Sequence, residues 1–282
     1  MPTTSRPQAD PRQIALVVSD VDGTLVGADK AASPATIQAV NALRAAGIRF
    51  TITSSRPPRG VKYLIETLKL TDPIAAVNGG VVITPAFKCL HEALLPANLA
   101  AQALAIIAEH KIDAWVFSGG SWYVKDRHGP HVDRETRTVA FEPLVVTSYD
   151  DKLDGVQKIV AVTDDNPLIQ KCEAAIHQQL GEKVAASCSQ KYYLDITHPD
   201  ANKGNGIAQL SSLLNIPPER IATIGDGEND VLMFRVTGFS IAMGNGSPEV
   251  QQSATVVTGK NTEDGFASAM QKFILAPRGV PA

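Results

Sequence analysis

The amino-acid sequence predicts an α/β fold: a doubly wound, Rossmann-like parallel-sheet core interrupted by an inserted α+β module. Three observations carry that expectation. Short apolar runs alternate with helical stretches over residues 14–83, shorter aromatic strands interrupt the pattern over 84–189, and the alternation resumes over 190–282. At 282 residues the chain is also long for one domain, which agrees with a core plus a second module.

The elements follow in order. Residues 1–13 are polar and contain Pro2, Pro7 and Pro11, so they are expected to form a flexible leader, without the apolar stretch of a signal peptide. Ile14-Ala-Leu-Val-Val18 is continuously apolar, as a strand covered on both faces requires. Ser33-Pro34 supplies a helix cap and first-turn proline, and Gly47 ends that helix. Ile48 to Thr53 reads as a second strand. Pro57 opens a helix expected to reach Leu70, and Pro73 precedes a third strand, Ile74 to Val77, ending at Asn78-Gly79-Gly80.

Within the insert, a helix from Asn98 to His110 precedes strands Trp115 to Phe117 and Trp122 to Val124, separated by Ser118-Gly-Gly-Ser121. A strand from Lys158 to Val162, a helix after Pro167 and a strand near Val184 complete it. Trp115, Trp122 and Tyr123 read as its core, and His128 and His131 as surface or substrate contacts rather than a metal pair. The core then resumes with a helix from Lys203 to Leu214, a strand from Ile221 to Ile224, and further helix–strand pairs.

Composition bounds the function. With 44% apolar and 20% charged residues the chain is ordinary for a globular protein, and a net charge of −3 with no Lys/Arg cluster argues against nucleic acid as a partner. No apolar run approaches the roughly 18 residues of a membrane span. Cys89, Cys172 and Cys188 are scattered and odd in number, which suits thiols in a reducing compartment, so the cytoplasm is expected.

Four segments at strand or helix ends carry chemistry, where ligands of open α/β sheets bind. Asp20 and Asp22 are one residue apart in Asp20-Val-Asp-Gly-Thr-Leu25; carboxylates so close repel unless a cation or a shared proton intervenes. A hard divalent ion such as Mg2+ suits oxygen donors. An EF-hand is excluded, because Leu25 and Ala31 stand where that loop needs Gly and Glu. Gly225-Asp-Gly-Glu-Asn-Asp230 follows a strand and can close a metal site with Asp20; a solvated helix start is the blander reading. Lys203, at a helix start, and Ser54-Ser55-Arg56, after the second strand, suit phosphoryl oxygens. Walker, dinucleotide and nucleophile-elbow patterns are all incomplete.

Together these segments resemble the haloacid dehalogenase-like phosphatase superfamily, in particular its Cof-like branch of small-molecule phosphatases, over nearly the whole chain after the leader. Asp20-Val-Asp-Gly-Thr-Leu25 is similar to its first motif, Ser54 to the second, Lys203 to the third and Gly225 to Asp230 to the fourth. The resemblance implies a catalytic core over 14–83 and 190–282, with residues 84–189 as a substrate-selecting cap. It implies Asp20 as nucleophile and Mg2+ ligand, and Asp22 as general acid and base with its backbone carbonyl on the metal. It further implies that Asp226 would supply the other carboxylate, that Asp230 would support the site, and that Lys203, Ser54, the Ser55 and Val21 amides and Asn229 would hold the phosphoryl oxygens.

Asp22 separates phosphatases and mutases from ATPase and dehalogenase relatives. Ser54-Ser55 departs from the usual Thr-Gly: serine keeps the hydroxyl, while the Ser55 side chain narrows the pocket floor. Asp126 to Phe141 of the cap is expected to face the active site and select the leaving group. The expected activity is hydrolysis of a small phosphorylated metabolite, a sugar phosphate or similar phosphomonoester, by a monomer or weak homo-oligomer. A phosphomutase and a non-catalytic phospholigand-binding protein are the alternatives.

Overall fold

The structure, a computed structural model, describes residues 10–280; residues 1–9, most of the expected leader, and 281–282 lie outside the described residues. The described end of that leader is ordered: Pro11–Gln13 form one 3-10 turn, with the Asp10 carboxylate accepting from the Arg12 amide at 3.0 Å. The chain divides into two compact units. One contains the chain as far as Ser55 together with Lys62–Leu90 and everything from Asn202, and the other contains Arg56–Val61 and His91–Ala201.

In the first unit, β1 (Leu16–Ser19) is buried at every position, as its unbroken apolar run requires. Helix α1 (Pro34–Ala45) starts where Ser33 Oγ accepts the Thr36 amide at 3.1 Å, and β2 (Arg49–Ile52) follows. The single helix expected after Pro57 is instead a 3-10 turn, Pro58–Val61, followed by the short α2 (Lys62–Thr67). Two adjacent prolines cannot donate backbone hydrogen bonds, and Gly60 weakens the turn that follows.

Strand β3 (Ile74–Ala76) also departs from expectation. It touches the parallel sheet through one bridge, Thr53 to Ala75, and then pairs antiparallel with β4 (Val81–Ile83) in a separate sheet completed by β5 (Cys89–Glu92). The cause is the turn after it, where Val77, Asn78 and Gly79 have φ of 51°, 54° and 89° and reverse the chain.

The second unit is built on a six-stranded sheet. In chain order its elements are α3 (Ala97–Glu109), β6 (Asp113–Ser118), β7 (Ser121–Val124), α4 (Val132–Val139), β8 (Leu144–Val145), β9 (Val156–Val162), α5 (Asn166–Leu180), β10 (Ala185–Gln190) and β11 (Tyr193–Thr197). The strand order is β10-β11-β9-β6-β7-β8. This unit ends beyond the expected residue 189 because β11 pairs antiparallel with β10 and β9. Alternation sorts the side chains by face: Val116, Ile159 and Leu194 pack with Ile106 and Ile107 of α3 and Ile169 and Ile176 of α5. On the opposite face Trp115, Phe117, Trp122 and Tyr193 form an aromatic cluster with Val132 and Val139 of α4, including a Phe117–Trp122 stack at 5.8 Å.

The chain returns to the first unit with α6 (Lys203–Leu214), β12 (Ile221–Gly225), α7 (Val231–Val236), β13 (Phe239–Ala242), α8 (Pro248–Ser253) and β14 (Val256–Val257). The core sheet is wholly parallel, in the order β14-β13-β12-β1-β2. Its connections run one way from β1 to β2 and the other way across β12, so a switch point lies between β1 and β12. There Ser19 is level with Ile224, which sets the loops after both strands side by side.

Helix α6 is docked by a close backbone approach. A Cβ on Gly79 would lie 2.7 Å from both the Asn202 carbonyl oxygen and the Gly206 Cα. Gly79 also occupies φ of +89°, a region unfavourable to L side chains. Gly79→Ala is therefore expected to lower unfolding free energy by about 2 kcal/mol or more, combining left-handed strain with the overlap. Urea unfolding with an unchanged midpoint would show that the approach is not constraining.

Candidate functional site

Asp20 is the first residue beyond β1. Its amide donates to the Ile224 carbonyl at 2.9 Å, and Ser19 Oγ donates to the Asp20 carbonyl at 2.7 Å. The chain then turns tightly, with the amides of Thr24, Leu25 and Val26 all donating to the Val21 carbonyl. Gly23 makes this possible: a Cβ there would lie 2.2 Å from Asp226 Oδ2.

Asp226, just past β12, is held on both oxygens. Thr24 Oγ1 donates to Oδ1 at 2.9 Å, and Asn245 Nδ2 donates to Oδ2 at 3.0 Å and to the Gly23 carbonyl at 2.9 Å. Asp230 is fully buried, and its Oδ2 accepts the Asp226 and Gly227 amides at 2.9 and 2.8 Å. Lys203 opens α6, where Asn202 Oδ1 caps the Asn205 amide at 2.9 Å. Its side chain is 1% exposed, and Nζ donates to Asp20 Oδ1 and Asp230 Oδ1, each at 2.5 Å.

One carboxylate oxygen each of Asp20, Asp226 and Asp230 lies within 4.8 Å of the others. Three carboxylates against one ammonium leave two negative charges in a buried space. The protonation equilibria register that excess. Burial lifts Asp20 well above the usual carboxylate range, with the Lys203 charge opposing and Asp230 and Asp226 adding to it. Asp226 is raised to about 6, by burial first and the Asp230 charge second. Burial acts to lower Lys203, but Asp20 and Asp230 outweigh it and keep the ammonium firmly charged. An all-oxygen donor set with two uncompensated charges fits a hard divalent cation.

The other sequence-predicted residues make contacts of their own. The Asp22 side chain does not join the three carboxylates; its Oδ1 accepts from Lys30 Nζ at 2.7 Å. Val21 is buried. Ser54 is buried in the loop after β2, with its amide donating to the Ala75 carbonyl at 2.9 Å and its carbonyl accepting from the Asn78 amide at 2.8 Å, and Ser55 follows it. Asn229 spends its side-chain amide on Asn78 Oδ1 at 3.0 Å. In the second unit, His131 Nε2 meets Asp164 Oδ1 at 2.7 Å and its ring stacks on Tyr192 at 4.2 Å.

Sequence reasoning missed Thr24, Asn78, Asn245 and Asn261. Asn245 was within reach of the rule that found the acids, since Gly244-Asn-Gly246 follows β13, the strand beside β12. Asn261, whose Nδ2 donates to the Val26 carbonyl and whose amide donates to Asn245 Oδ1, both at 3.0 Å, carries no sequence signal.

Known proteins share this arrangement of chain. Residues 17–270 match the haloacid dehalogenase-like hydrolase family. The chain is 27% identical over 264 residues to 5-amino-6-(5-phospho-D-ribitylamino)uracil phosphatase YitU of Bacillus subtilis, covering 92% of this chain and 97% of that one. It is 24% identical over 271 residues to pyridoxal phosphate phosphatase YbhA of Escherichia coli, covering 92% and 98%. The crystal structure of a haloacid dehalogenase-like hydrolase from Bacteroides thetaiotaomicron superposes with a TM-score of 0.85 at 25% identity, over 92% of this chain and 99% of that one. No helix among the described residues is long and apolar enough to cross a membrane. The resemblance borne by the first, second, third and fourth motifs thus extends to the chain as a whole, which belongs to the haloacid dehalogenase-like hydrolases and is a phosphoric monoester hydrolase.

Proposed function

We propose that the protein is a Mg2+-dependent phosphatase of small phosphorylated metabolites, a sugar phosphate or similar phosphomonoester, acting through an aspartyl-phosphate on Asp20. The observation that carries this is the buried Lys203 ammonium bridging Asp20 and Asp230 at 2.5 Å each, beside Asp226. Binding a phosphate needs positive charge; a nucleophilic carboxylate fixed against that charge serves its transfer.

An Asp20 carboxylate oxygen attacks phosphorus, forming one P–O bond as the ester P–O bond breaks, and the departing alkoxide takes a proton from Asp22. The Asp22 carboxylate then accepts a proton from water as that water attacks the same phosphorus, releasing inorganic phosphate and restoring Asp20. Lys203, the Ser54 hydroxyl, the Ser55 and Val21 amides and Asn229 hold the phosphoryl oxygens, so Asn229 exchanges its bond to Asn78 for one to substrate. Asp20, Asp226 and the Asp22 carbonyl would hold Mg2+, which supplies neutralising charge for the phosphoryl group; Asp230 fixes Lys203 and the Asp226 loop. The names of YitU and YbhA, both phosphatases of small phosphorylated compounds, support the substrate class. Three free cysteines accord with the cytoplasm.

Phosphate release from sugar phosphates, pyridoxal phosphate and 4-nitrophenyl phosphate is expected to require Mg2+, to stop with EDTA, and to fall by roughly 10³-fold or more in Asp20→Asn. Absence of release from every compound by folded, Mg2+-loaded protein would favour a phosphomutase or a binding protein instead.

Metal affinity is expected to depend on pH through Asp226. Its folded-state pKa, raised to about 6, lies above the usual carboxylate range, so in metal-free protein its contribution to stability is present at low pH and lost as pH rises through about 6. Mg2+ binds the ionised carboxylate, so the gain in melting temperature at fixed Mg2+ should be larger at pH 7.5 than at pH 5.5, values on either side of about 6. Equal gains at both pH values would remove Asp226 from the metal.

A further inference from the structure

Lys30 lies eight residues after Asp22, and its Nζ donates to Asp22 Oδ1 at 2.7 Å. By itself this is a partly exposed ion pair, the Lys30 side chain being 40% and the Asp22 side chain 30% exposed, and such pairs contribute little to stability. What separates it from an incidental surface contact is the backbone beneath it. Lys30 occupies φ of 64°, a region where a side chain other than Gly is unusual.

The loop that imposes this conformation is tied at several points. Asp22 and Val26 form a parallel bridge, the Gly27 amide donates to the Ala31 carbonyl at 3.1 Å, and the Lys30 amide donates to the Gly27 carbonyl at 3.1 Å. Asp29 Oδ1 accepts the Ala31 amide at 3.1 Å, and Asn261 Nδ2 anchors the Val26 carbonyl at 3.0 Å. The loop thus holds Lys30 in strained backbone geometry where its ammonium reaches one named oxygen of Asp22.

We infer that Lys30 is a positioning residue that fixes the Asp22 carboxyl for proton transfer to the leaving group. This rests on the acid–base role of Asp22 proposed above. An aspartate carboxyl turns easily about its last torsion, and a general acid works only when its proton is aimed at the departing oxygen. The ammonium on Oδ1 restricts that torsion and holds the carboxyl in one orientation. Lys30 leaves the proton balance of the reaction unchanged; it fixes the orientation from which the Asp22 carboxyl delivers the proton.

Leaving-group dependence tests this. A good leaving group departs without protonation and a basic one needs it, so kcat/KM is measured for 4-nitrophenyl, phenyl and 4-methoxyphenyl phosphates, whose rings are similar in size. Lys30→Met should leave kcat/KM for the 4-nitrophenyl ester within about threefold and lower that for the 4-methoxyphenyl ester by roughly tenfold or more, part of the effect expected of a general acid. Lys30→Arg, which keeps a donor at this place, should recover most of the loss. Asp22→Asn should give the steeper series that complete loss of the acid produces.

Equal loss across the three esters in Lys30→Met, or no loss, alongside a steep Asp22→Asn series would overturn the positioning role and leave Asp22 as the acid. A flat Asp22→Asn series would overturn the acid role itself and the role of Lys30 with it. Lys30→Gln gives the same readout should the Met variant fold poorly.

Discussion

The structure of the site depends on one buried ammonium. Moving Lys203 out of water is expensive, and the cost is met only because two carboxylates reach the same nitrogen in fixed geometry. Each partner is itself pinned. Asp20 continues a fully buried strand, and Asp230 spends its other oxygen on two backbone amides of the loop carrying Asp226. Removing one carboxylate leaves an uncompensated buried charge, so the three side chains behave as a unit rather than as separable contacts. The close packing of Gly79 on Gly206 has its reason here, because it fixes the helix from whose first residue that ammonium extends.

The same constraint explains why the carboxylates are not packed to neutrality. A site with as many ammonium groups as carboxylates would be easier to bury but would hold no cation. Here Asp226 is retained by Thr24 and Asn245, neutral donors that orient the carboxylate without cancelling its charge. The unfavourable excess appears as raised proton affinity of Asp20 and Asp226. That excess matches the charge of one divalent ion, which makes a metal the natural replacement for bound protons.

Much of this was legible in the sequence, unevenly and for physical reasons. A continuous apolar run located β1, since a buried parallel strand has no polar face, and Lys203–Leu214 emerged with both ends as expected because Asn202 caps one end and Asn215 closes the other in a left-handed conformation. Acidic loops at strand ends located Asp20, Asp226 and Asp230, where sheet topology rather than sequence proximity unites them. The reversal after β3 was illegible because Val77 and Asn78 adopt positive φ under tertiary constraint. The strand expected near Val184 is β10, but its extension through the polar Ser187-Cys-Ser-Gln190 and its pairing with β11 went unread, because a polar run reads as loop yet can pair along a sheet edge. Likewise the Asp22–Lys30 contact depends on a turn whose geometry is set partly by Asn261, over two hundred residues away in sequence.

Two electrostatic systems therefore stand within a few residues of each other, and their separation suits the proposed reaction. Asp20 and Asp230 share Lys203, Asp226 lies beside them on neutral donors, and together the three carry excess negative charge. Asp22 has its own cation, in a more exposed position. Carboxylates that bind a cation must stay ionised through a turnover, whereas a general acid must gain and lose a proton within it. Placing all four on one ammonium would couple those demands, so that each proton taken up by the acid disturbed the metal ligands. A turn as short as Val21 with Gly23 at φ of +83° resolves the conflict: it sends neighbouring aspartates to different partners while keeping both beside the switch point of the sheet.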